Sequence, residues 1–580
     1  MKKYCLIVLV AFFCALTDAY SQKFDQKALE KTLGQAIKKS YAASVRMWGF
    51  DTVRKAQASA QFSGVVVNAE GYILTVSHAI QPNKTYKVFF PDGREAIAIA
   101  LGKMGFQEMD NRPDLGMMKI ITKGEWPFAE MGWSSSLKVN EPCLSISYPE
   151  TLNQTLPTIR FGRITNVLDQ WGFTESTCKM EPGDSGGPLF DYMGRVVALH
   201  SRIDQPEDIN FEVPVDMYRK YWTALTVPEA YKALPATEEP VKADPLADGI
   251  KAIPGLAALT ANFKESAMKV MGSTLMIKST VNGEEKKALG TVFSAEGLSP
   301  KGNEVPMSKS GTALKGGSFL VGKSSVIGNS AEVDLGAGKT AKAEVLSRDK
   351  ENDLVLLHIT ESLKNAIKLK TVKETDSLTF NDLGKFLISP LPGTDYKVSI
   401  AGSGYFNQPR KFSAGYFGAS ANFNDEKIIL TRINPNSPAE EAKLALGDQI
   451  TGFNNVAISR PEQYGGELIK YGPGDTVTIQ GIRAGEKYNL ISILKQRPQI
   501  SNHPAERFDG GKSILLDGFK RVFSHDAALR PEECGSPVFS ADGVFYGINI
   551  ARFSRTSTLA IPAMEVKKFI EDALSQKLVL

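Results

Sequence analysis

Glu181-Pro-Gly-Asp-Ser-Gly-Gly-Pro-Leu-Phe190 holds one serine, Ser185, in a glycine-bracketed turn that runs into an apolar strand. A serine hydroxyl is a poor nucleophile until a base takes its proton. The turn supplies a second requirement: backbone N–H groups around Gly183 and Ser185 can converge on one spot and hold a developing oxyanion. Gly186 and Gly187 leave room for another backbone to approach. The stretch predicts acyl transfer, with a base and an orienting acid upstream.

Both residue types are found there. Phe62-Ser-Gly-Val-Val-Val-Asn-Ala-Glu-Gly-Tyr-Ile-Leu-Thr-Val-Ser-His-Ala-Ile80 reads as a β-hairpin turning at Ala69-Glu70-Gly71 and ending on His78. Arg112-Pro-Asp-Leu-Gly-Met-Met-Lys-Ile120 puts Asp114 immediately before a buried-strand pattern. The order His78, Asp114, Ser185, with these flanks, resembles the chymotrypsin-like serine proteases and in texture the bacterial HtrA type. The resemblance implies Ser185 as nucleophile and His78 as general base, then general acid. Asp114 would fix the imidazole tautomer and stabilise the imidazolium. Gly183 and Ser185 would form the oxyanion hole, with Asp184 bracing the turn. In this family the primary pocket floor lies near the sixth residue before the nucleophile, here Lys179 beside Met180. With no acid there, cleavage after small or medium aliphatic residues is expected, unless Lys179 points to solvent.

The 580 residues are enough for three or four domains. Apolar residues make up 42%, and 68 basic residues nearly balance 64 acidic ones. No basic cluster stands out, and no nucleic-acid partner is expected. Lys2 and Lys3 precede an apolar stretch from Cys5 to Leu16, followed by small residues at Thr17, Ala19 and Ser21. Residues 1–21 therefore read as a cleaved signal peptide of a secreted or periplasmic protein. The stretch falls short of the ~20 residues of a membrane span, and no stable span is expected after cleavage. Cys143, Cys178 and Cys534 make no disulfide framework, and whether Cys143 and Cys178 pair is open. No His/Cys grouping has metal-ligand spacing, so neither metal nor cofactor is expected.

Residues 24–46 read as an amphipathic helix leading into the first strand, and the first protease-like unit spans 22–226. Prolines 228, 235, 240 and 245 among Glu, Lys and Ala mark 227–262 as a linker. Then the pattern repeats. Leu289-Gly-Thr-Val-Phe-Ser-Ala-Glu-Gly297 echoes Ser63–Gly71, and Glu351-Asn-Asp-Leu-Val-Leu-Leu-His-Ile359 echoes the Asp114 segment. Pro531-Glu-Glu-Cys-Gly-Ser-Pro-Val-Phe539 echoes the Ser185 segment. A second, degenerate unit is expected over 263–411 and 499–580. It keeps Asp353, has Ser325 where His78 would be, and has Cys534 for Ser185. A cysteine nucleophile would need a base, which Ser325 cannot be, and His358 and His525 match no triad position. Glu532-Glu533 replaces Gly183-Asp184, which disfavours an oxyanion-hole backbone.

The interval from Asp353 to Cys534 is far longer than that from Asp114 to Ser185, and most of the excess is 412–498. Ala414-Gly-Tyr-Phe-Gly-Ala419, Ile428–Ala439 and Gly472-Pro-Gly-Asp-Thr-Val-Thr-Ile479 resemble a bacterial PDZ domain. That resemblance implies capture of an extended peptide or C-terminal tail, the carboxylate lying on the loop Gly415, Tyr416, Phe417, Gly418, with Phe417 lining the pocket for the last side chain. The module could instead only brace its neighbours.

Short strands between Gly/Pro/Asn/Asp turns predict a mainly β chain. The resemblance sharpens this to two chymotrypsin-like double β-barrel units plus a PDZ domain inserted in the second. The leading reading is an HtrA-like serine endopeptidase acting on protein or peptide substrates. A non-catalytic peptide-binding or chaperone-like scaffold, or an esterase with the same triad, are the alternatives.

Overall fold

The structure, a computed structural model, describes residues 25–105, 114–204, 206–249, 256–294, 316–498 and 503–575. The expected signal segment lies outside the described residues. The described residues are mainly β, arranged in several barrels and sheets.

Helix α1 (Gln26–Ser40) starts where the Asp25 side chain accepts a hydrogen bond from the Ala28 N–H, and it ends on Lys38 and Lys39, which complement the helix dipole. Its buried face is Leu29, Leu33, Ala36 and Ile37. The first strand begins at Ser44, so the helix is shorter than the segment expected from sequence.

Strands β1 (Ser44–Asp51), β2 (Phe62–Val66), β3 (Tyr72–Thr75), β4 (Thr85–Phe89), β5 (Glu95–Met104) and β6 (Leu115–Ile120) form one sheet. It runs β5-β4-β1-β2-β3-β6 and closes where β5 also pairs with β6. Alternation drives burial: in β4, Tyr86 and Val88 face inward while Thr85, Lys87 and Phe89 are half-buried. A second closed barrel follows: β7 (Pro142–Ser147), β8 (Thr158–Asn166), β9 (Thr174–Ser176), β10 (Pro188–Asp191), β11 (Val196–Ile203) and β12 (Asn210–Pro214).

The Pro-rich stretch after residue 226 is no loose tether where it is described. Ala230 and Tyr231 pair with Lys103 and Met104 of β5. Trp133 Nε1 donates to the Lys242 carbonyl at 2.8 Å, and Asp244 accepts from the buried Arg195 guanidinium. Prolines keep it extended and unable to pair with itself, so it lies as a strap across the first two barrels.

A third closed barrel holds β13 (Thr274–Val281), β14 (Glu284–Ser294), β15 (Ser318–Lys323), β16 (Ala331–Gly336), β17 (Lys339–Asp349) and β18 (Leu354–Ile359). The fourth sheet begins with β19 (Phe386–Pro390), β20 (Tyr396–Ile400) and β21 (Phe406–Gln408). The chain then leaves for a separate sheet: β22 (Ala419–Asn424), β23 (Lys427–Ile433), β24 (Gln449–Phe453), β25 (Thr476–Arg483) and β26 (Glu486–Ile493), in that order, with helix α2 (Pro461–Leu468). It returns to finish the fourth sheet with β27 (Phe519–His525), β28 (Pro537–Ser540), β29 (Phe545–Arg552) and β30 (Thr558–Pro562), and ends in helix α3 (Ala563–Ser575). Strand β21 pairs with β27 on either side of the excursion.

The second and fourth sheets dock on each other. The Ile159 N–H donates to the Gly402 carbonyl at 2.8 Å, and the Phe161 N–H donates to Asp526 at 3.0 Å. Phe386 packs its ring against Phe161 and Phe263. One continuous cluster of buried side chains runs from Leu33 and Ile37 of α1 through Ile159 to Phe386 and Ile400. Among the described residues, no helix is long and apolar enough to cross a membrane.

Candidate active site

The first two barrels meet at three residues. A 3₁₀ turn, Ser77–Ala79, follows β3 and carries His78. Asp114 precedes β6 and is fully buried. Ser185 closes the turn that enters β10. Asp114 takes the His78 N–H on Oδ1 at 2.9 Å and His78 Nδ1 on Oδ2 at 2.5 Å. His78 Nε2 lies 3.0 Å from Ser185 Oγ. Donation from Nδ1 to the carboxylate assigns the tautomer that leaves the Nε2 lone pair facing the hydroxyl. Burial alone would push the imidazole pKa down, but the hydrogen bond and charge of Asp114 outweigh it and hold His78 above its ordinary value.

The turn before Ser185 is fixed from below. Asp184 is bound by both terminal nitrogens of the buried Arg160 guanidinium, at 2.5 and 2.6 Å, and accepts from Ser147 Oγ and the Glu181 N–H. The Pro182 carbonyl accepts from Glu150 N–H at 2.8 Å, and the Asp184 carbonyl from Gly187 N–H at 2.7 Å. Across trans peptides, N–H points opposite to C=O, so the Gly183 and Ser185 N–H groups turn to the other side. Gly183 has φ +98°, and a Cβ there would stand 2.3 Å from Glu150 N. Only glycine fits such a position. Gly186 has φ +78°, and a Cβ there would stand 2.0 Å from Thr75 Oγ1, the close approach of the two barrels.

A cleft of about 500 Å³ opens over these groups, lined by His78, Met180, Pro182, Ser185, Arg202 and Ile203, among others. His503 and Pro504, from the far side of the chain, also line it. Lys179 does not join Met180 there. Its ammonium pairs with Glu207 at 3.0 Å, and its side chain lines a separate cavity between the second and fourth sheets, with Asp526. Neither expected place for Lys179, pocket floor or solvent, matches this one, because a neighbouring sheet covers that face of the barrel.

Sequence reasoning did not single out Ser201, whose hydroxyl donates to Asp114 Oδ2 at 3.0 Å, nor Arg160 and Ser147 beneath the turn. Nothing in a serine within Leu-His-Ser-Arg marks it. Arg160 was more readable, as a charge within the apolar stretch of β8. His200 is fully buried, near Ser145 Oγ and Glu212, and burial pushes it down to about 3. It takes no part in the cleft.

In the third and fourth sheets, Ser325 stands where His78 stands. Its N–H donates to Asp353 Oδ1 at 2.6 Å and its hydroxyl to Oδ2 at 2.8 Å. Lys323, buried, puts its ammonium 2.7 Å from the same carboxylate and donates to the carbonyls of Leu515 and Ile550. Cys534 is fully buried beside Ser513, and burial pushes its thiol up. Glu532 sits in a 3₁₀ turn, Pro531–Glu533. His525 bonds to Asn549 and Ser399, and His358 to the Gly316 carbonyl. Cys143 and Cys178 are both free, their sulfurs 3.8 Å apart.

In the inserted sheet, the N–H groups of Gly415 and Tyr416 are committed to the carbonyls of Tyr471 and Lys495. Of the four residues expected to cradle a carboxylate, these two are thus engaged internally. Phe417 packs edge-on to Phe453 within the module's core. The edge strand β22 exposes Asn422, Phe423 and Asn424. Tyr464 of α2 reaches across to donate to the Ala419 carbonyl at 3.1 Å.

Comparison with known proteins agrees with these sheets. The trypsin-like peptidase domain family matches residues 62–199, and the PDZ domain family residues 415–492. A probable periplasmic serine endoprotease DegP-like of Pseudomonas fluorescens is 29% identical over 28% of this chain and 34% of its own length. A putative serine protease HhoA of Synechocystis is 27% identical over 31% of this chain and 47% of its own. The chain thus spans between about a third and a half of the length of these curated relatives. A serine endoprotease structure from Yersinia pestis aligns with 80% of this chain and 97% of its own, at 15% identity and a TM-score of 0.29. In domain content the chain joins a match to the trypsin-like peptidase domain to a match to the PDZ domain.

Proposed function

We propose that the first two barrels form a serine endopeptidase acting on protein or peptide substrates. One observation carries the reading: a buried carboxylate, an imidazole and a serine hydroxyl in hydrogen-bonded series, beside a glycine turn with two N–H groups free to aim at one point. Ser185 Oγ attacks a peptide carbonyl while His78 Nε2 takes its proton. Asp114 stays ionised and stabilises the imidazolium; the Ser201 hydroxyl holds the same oxygen. The Gly183 and Ser185 N–H groups bind the oxyanion. His78 then gives its proton to the leaving amine as the C–N bond breaks, and water, deprotonated by His78, releases the acyl group.

Within this reading the third and fourth sheets are catalytically inert. Asp353 is engaged by Ser325 and Lys323, and the buried Cys534 lies beside the Ser513 hydroxyl and the Arg530 carbonyl. The PDZ module recognises an extended peptide at β22, with the Phe417 and Gly418 N–H groups left for a terminal carboxylate. The signal-like N-terminus and the periplasmic naming of the DegP-like relatives support secretion or a periplasmic site.

The test is fluorophosphonate labelling and casein digestion by the full chain and its Ser185→Ala variant. The reading expects both activities in the wild type and neither in the variant, with wild-type folding. Labelling without proteolysis points to an esterase. Peptidase activity in Ser185→Ala that iodoacetamide abolishes would assign the chemistry to Cys534 instead.

A further inference from the structure

Resting on the peptidase reading above, we propose that the second unit, which has Cys534 where the first has Ser185, is a working part of the first unit's substrate site, with Arg555 as the positioning residue that holds one wall of the cleft. The turn from β29 to β30 carries Arg552, Ser554, Arg555, Thr556 and Ser557, all polar and all buried. Polar side chains are buried only where they find partners; Ser554, Thr556 and Ser557 find theirs within the turn, and the two arginines reach into the first unit. Arg555 Nη1 donates to the Asp204 carbonyl at 2.8 Å and Nη2 to the Pro206 carbonyl at 3.1 Å. Both carbonyls lie just past Ile203, which lines the cleft.

Two further contacts come from the same turn. Arg552 Nη2 reaches Glu207 at 3.1 Å, the carboxylate that also holds Lys179 next to the cleft residue Met180. Ser554 lies beside the side chain of Glu181, the residue that opens the Ser185 turn and accepts the Asp184 N–H on its carbonyl. One turn therefore touches both sides of the cleft.

Interface packing alone does not account for this. The two units already share an apolar core around Phe161, Phe263 and Phe386. A hairpin end such as the one after Ile203 is otherwise among the more mobile parts of a fold. A planar guanidinium on two carbonyls, two residues apart, fixes its position as a single ammonium cannot. His503 and Pro504 of the second unit complete the enclosure at the cleft itself.

The experiment uses the full chain with Arg555→Ala, Arg555→Lys and Ser554→Ala, each checked for wild-type melting. Peptide hydrolysis is resolved into kcat and KM, and Ser185 is labelled with a small fluorophosphonate. Arg555→Ala should raise KM by about tenfold or more, the scale of losing charge-assisted hydrogen bonds, and change the cleavage-site profile. Its labelling rate should stay within about threefold, because a small probe needs no wall. Arg555→Lys should fall between. Hydrogen exchange at the Asp204 and Ile209 amides reads the clamp without reference to activity, and should rise about tenfold in Arg555→Ala. Wild-type KM, site profile and exchange in a folded Arg555→Ala overturn the proposal. Should Arg555→Ala not fold, Ser554→Ala decides: slower labelling and turnover support the contact on Glu181, and wild-type values overturn it. A wild-type chain that neither labels nor cleaves defeats the peptidase reading instead, and the exchange measurement still decides the clamp.

Discussion

Asp184→Ala should destabilise the first unit strongly. The Asp184 carboxylate and the Arg160 guanidinium are each at most 1% exposed and bound in two parallel hydrogen bonds. Removing one partner leaves a buried charge uncompensated, which costs about 3–5 kcal/mol. Ser147 Oγ and the Glu181 N–H lose their acceptor at the same time, so the upper end of that range applies. At about 2–4 °C per kcal/mol for a unit of this size, the melting temperature should fall by roughly 10 °C or more. Removing both charges is a different perturbation: Arg160→Met with Asp184→Leu takes away the pair without stranding either member, and should recover at least half of the lost stability. It should not recover activity, because the turn that aims the Gly183 N–H loses its anchor. Thermal unfolding followed by tryptophan fluorescence, alongside peptide turnover, reads both effects. A loss below about 1 kcal/mol in Asp184→Ala would refute the reasoning, since exposed pairs are worth that much.

The pH dependence of His78 has two opposed parts. Its value is held above the ordinary 6.5, so peptidase activity should fall as pH drops through a midpoint above 6.5, while the stability the pair contributes is fully present below the unfolded value and is lost as pH rises through the folded one; a kcat/KM midpoint well below 6.5 contradicts this. Gly183→Ala should cost about 10²–10³ in kcat by displacing one oxyanion donor, with its Cβ forced against Glu150 N at 2.3 Å; near-wild-type turnover would mean that this N–H does not serve the oxyanion. Peptides with hydrophobic C-termini should bind saturably to the full-length Ser185→Ala chain by calorimetry, and a bulky side chain at Gly418, where a Cβ would stand 2.3 Å from Ser437, should abolish binding; no saturable binding leaves the module a bracing role.

The mainly β fold and the pairing of His78 with Asp114 and Ser185 were legible because each rests on a local pattern: a hairpin, a residue before a strand, a glycine turn. The repeat made Ser325, Asp353 and Cys534 legible in the same way, and the structure gives Ser325 the same two bonds to Asp353 that His78 makes to Asp114. Residues that act through distant packing were not legible. Lys179 shows the reason: strand position alone left pocket floor or solvent, and only the docking of the fourth sheet makes it a buried partner of Glu207. Ser201 and Arg555 carry no local signature, since their partners lie tens to hundreds of residues away. Where the Pro-rich linker after residue 226 lies was not legible for a related reason: composition reports that a segment cannot fold on itself, and says nothing about a surface that will receive it.

Strand β19 and its neighbour β28 are separated in the chain by the whole inserted module. During synthesis the amino-terminal parts of a chain fold first. The first two barrels and their strap are complete by residue 249, and the inserted sheet by residue 495, while the fourth sheet stays open until β28 emerges. The turn holding Arg552 and Arg555 follows both in the chain. A growing chain therefore carries the residues of the Ser185 turn long before the turn whose Arg555 bonds to the Asp204 and Pro206 carbonyls.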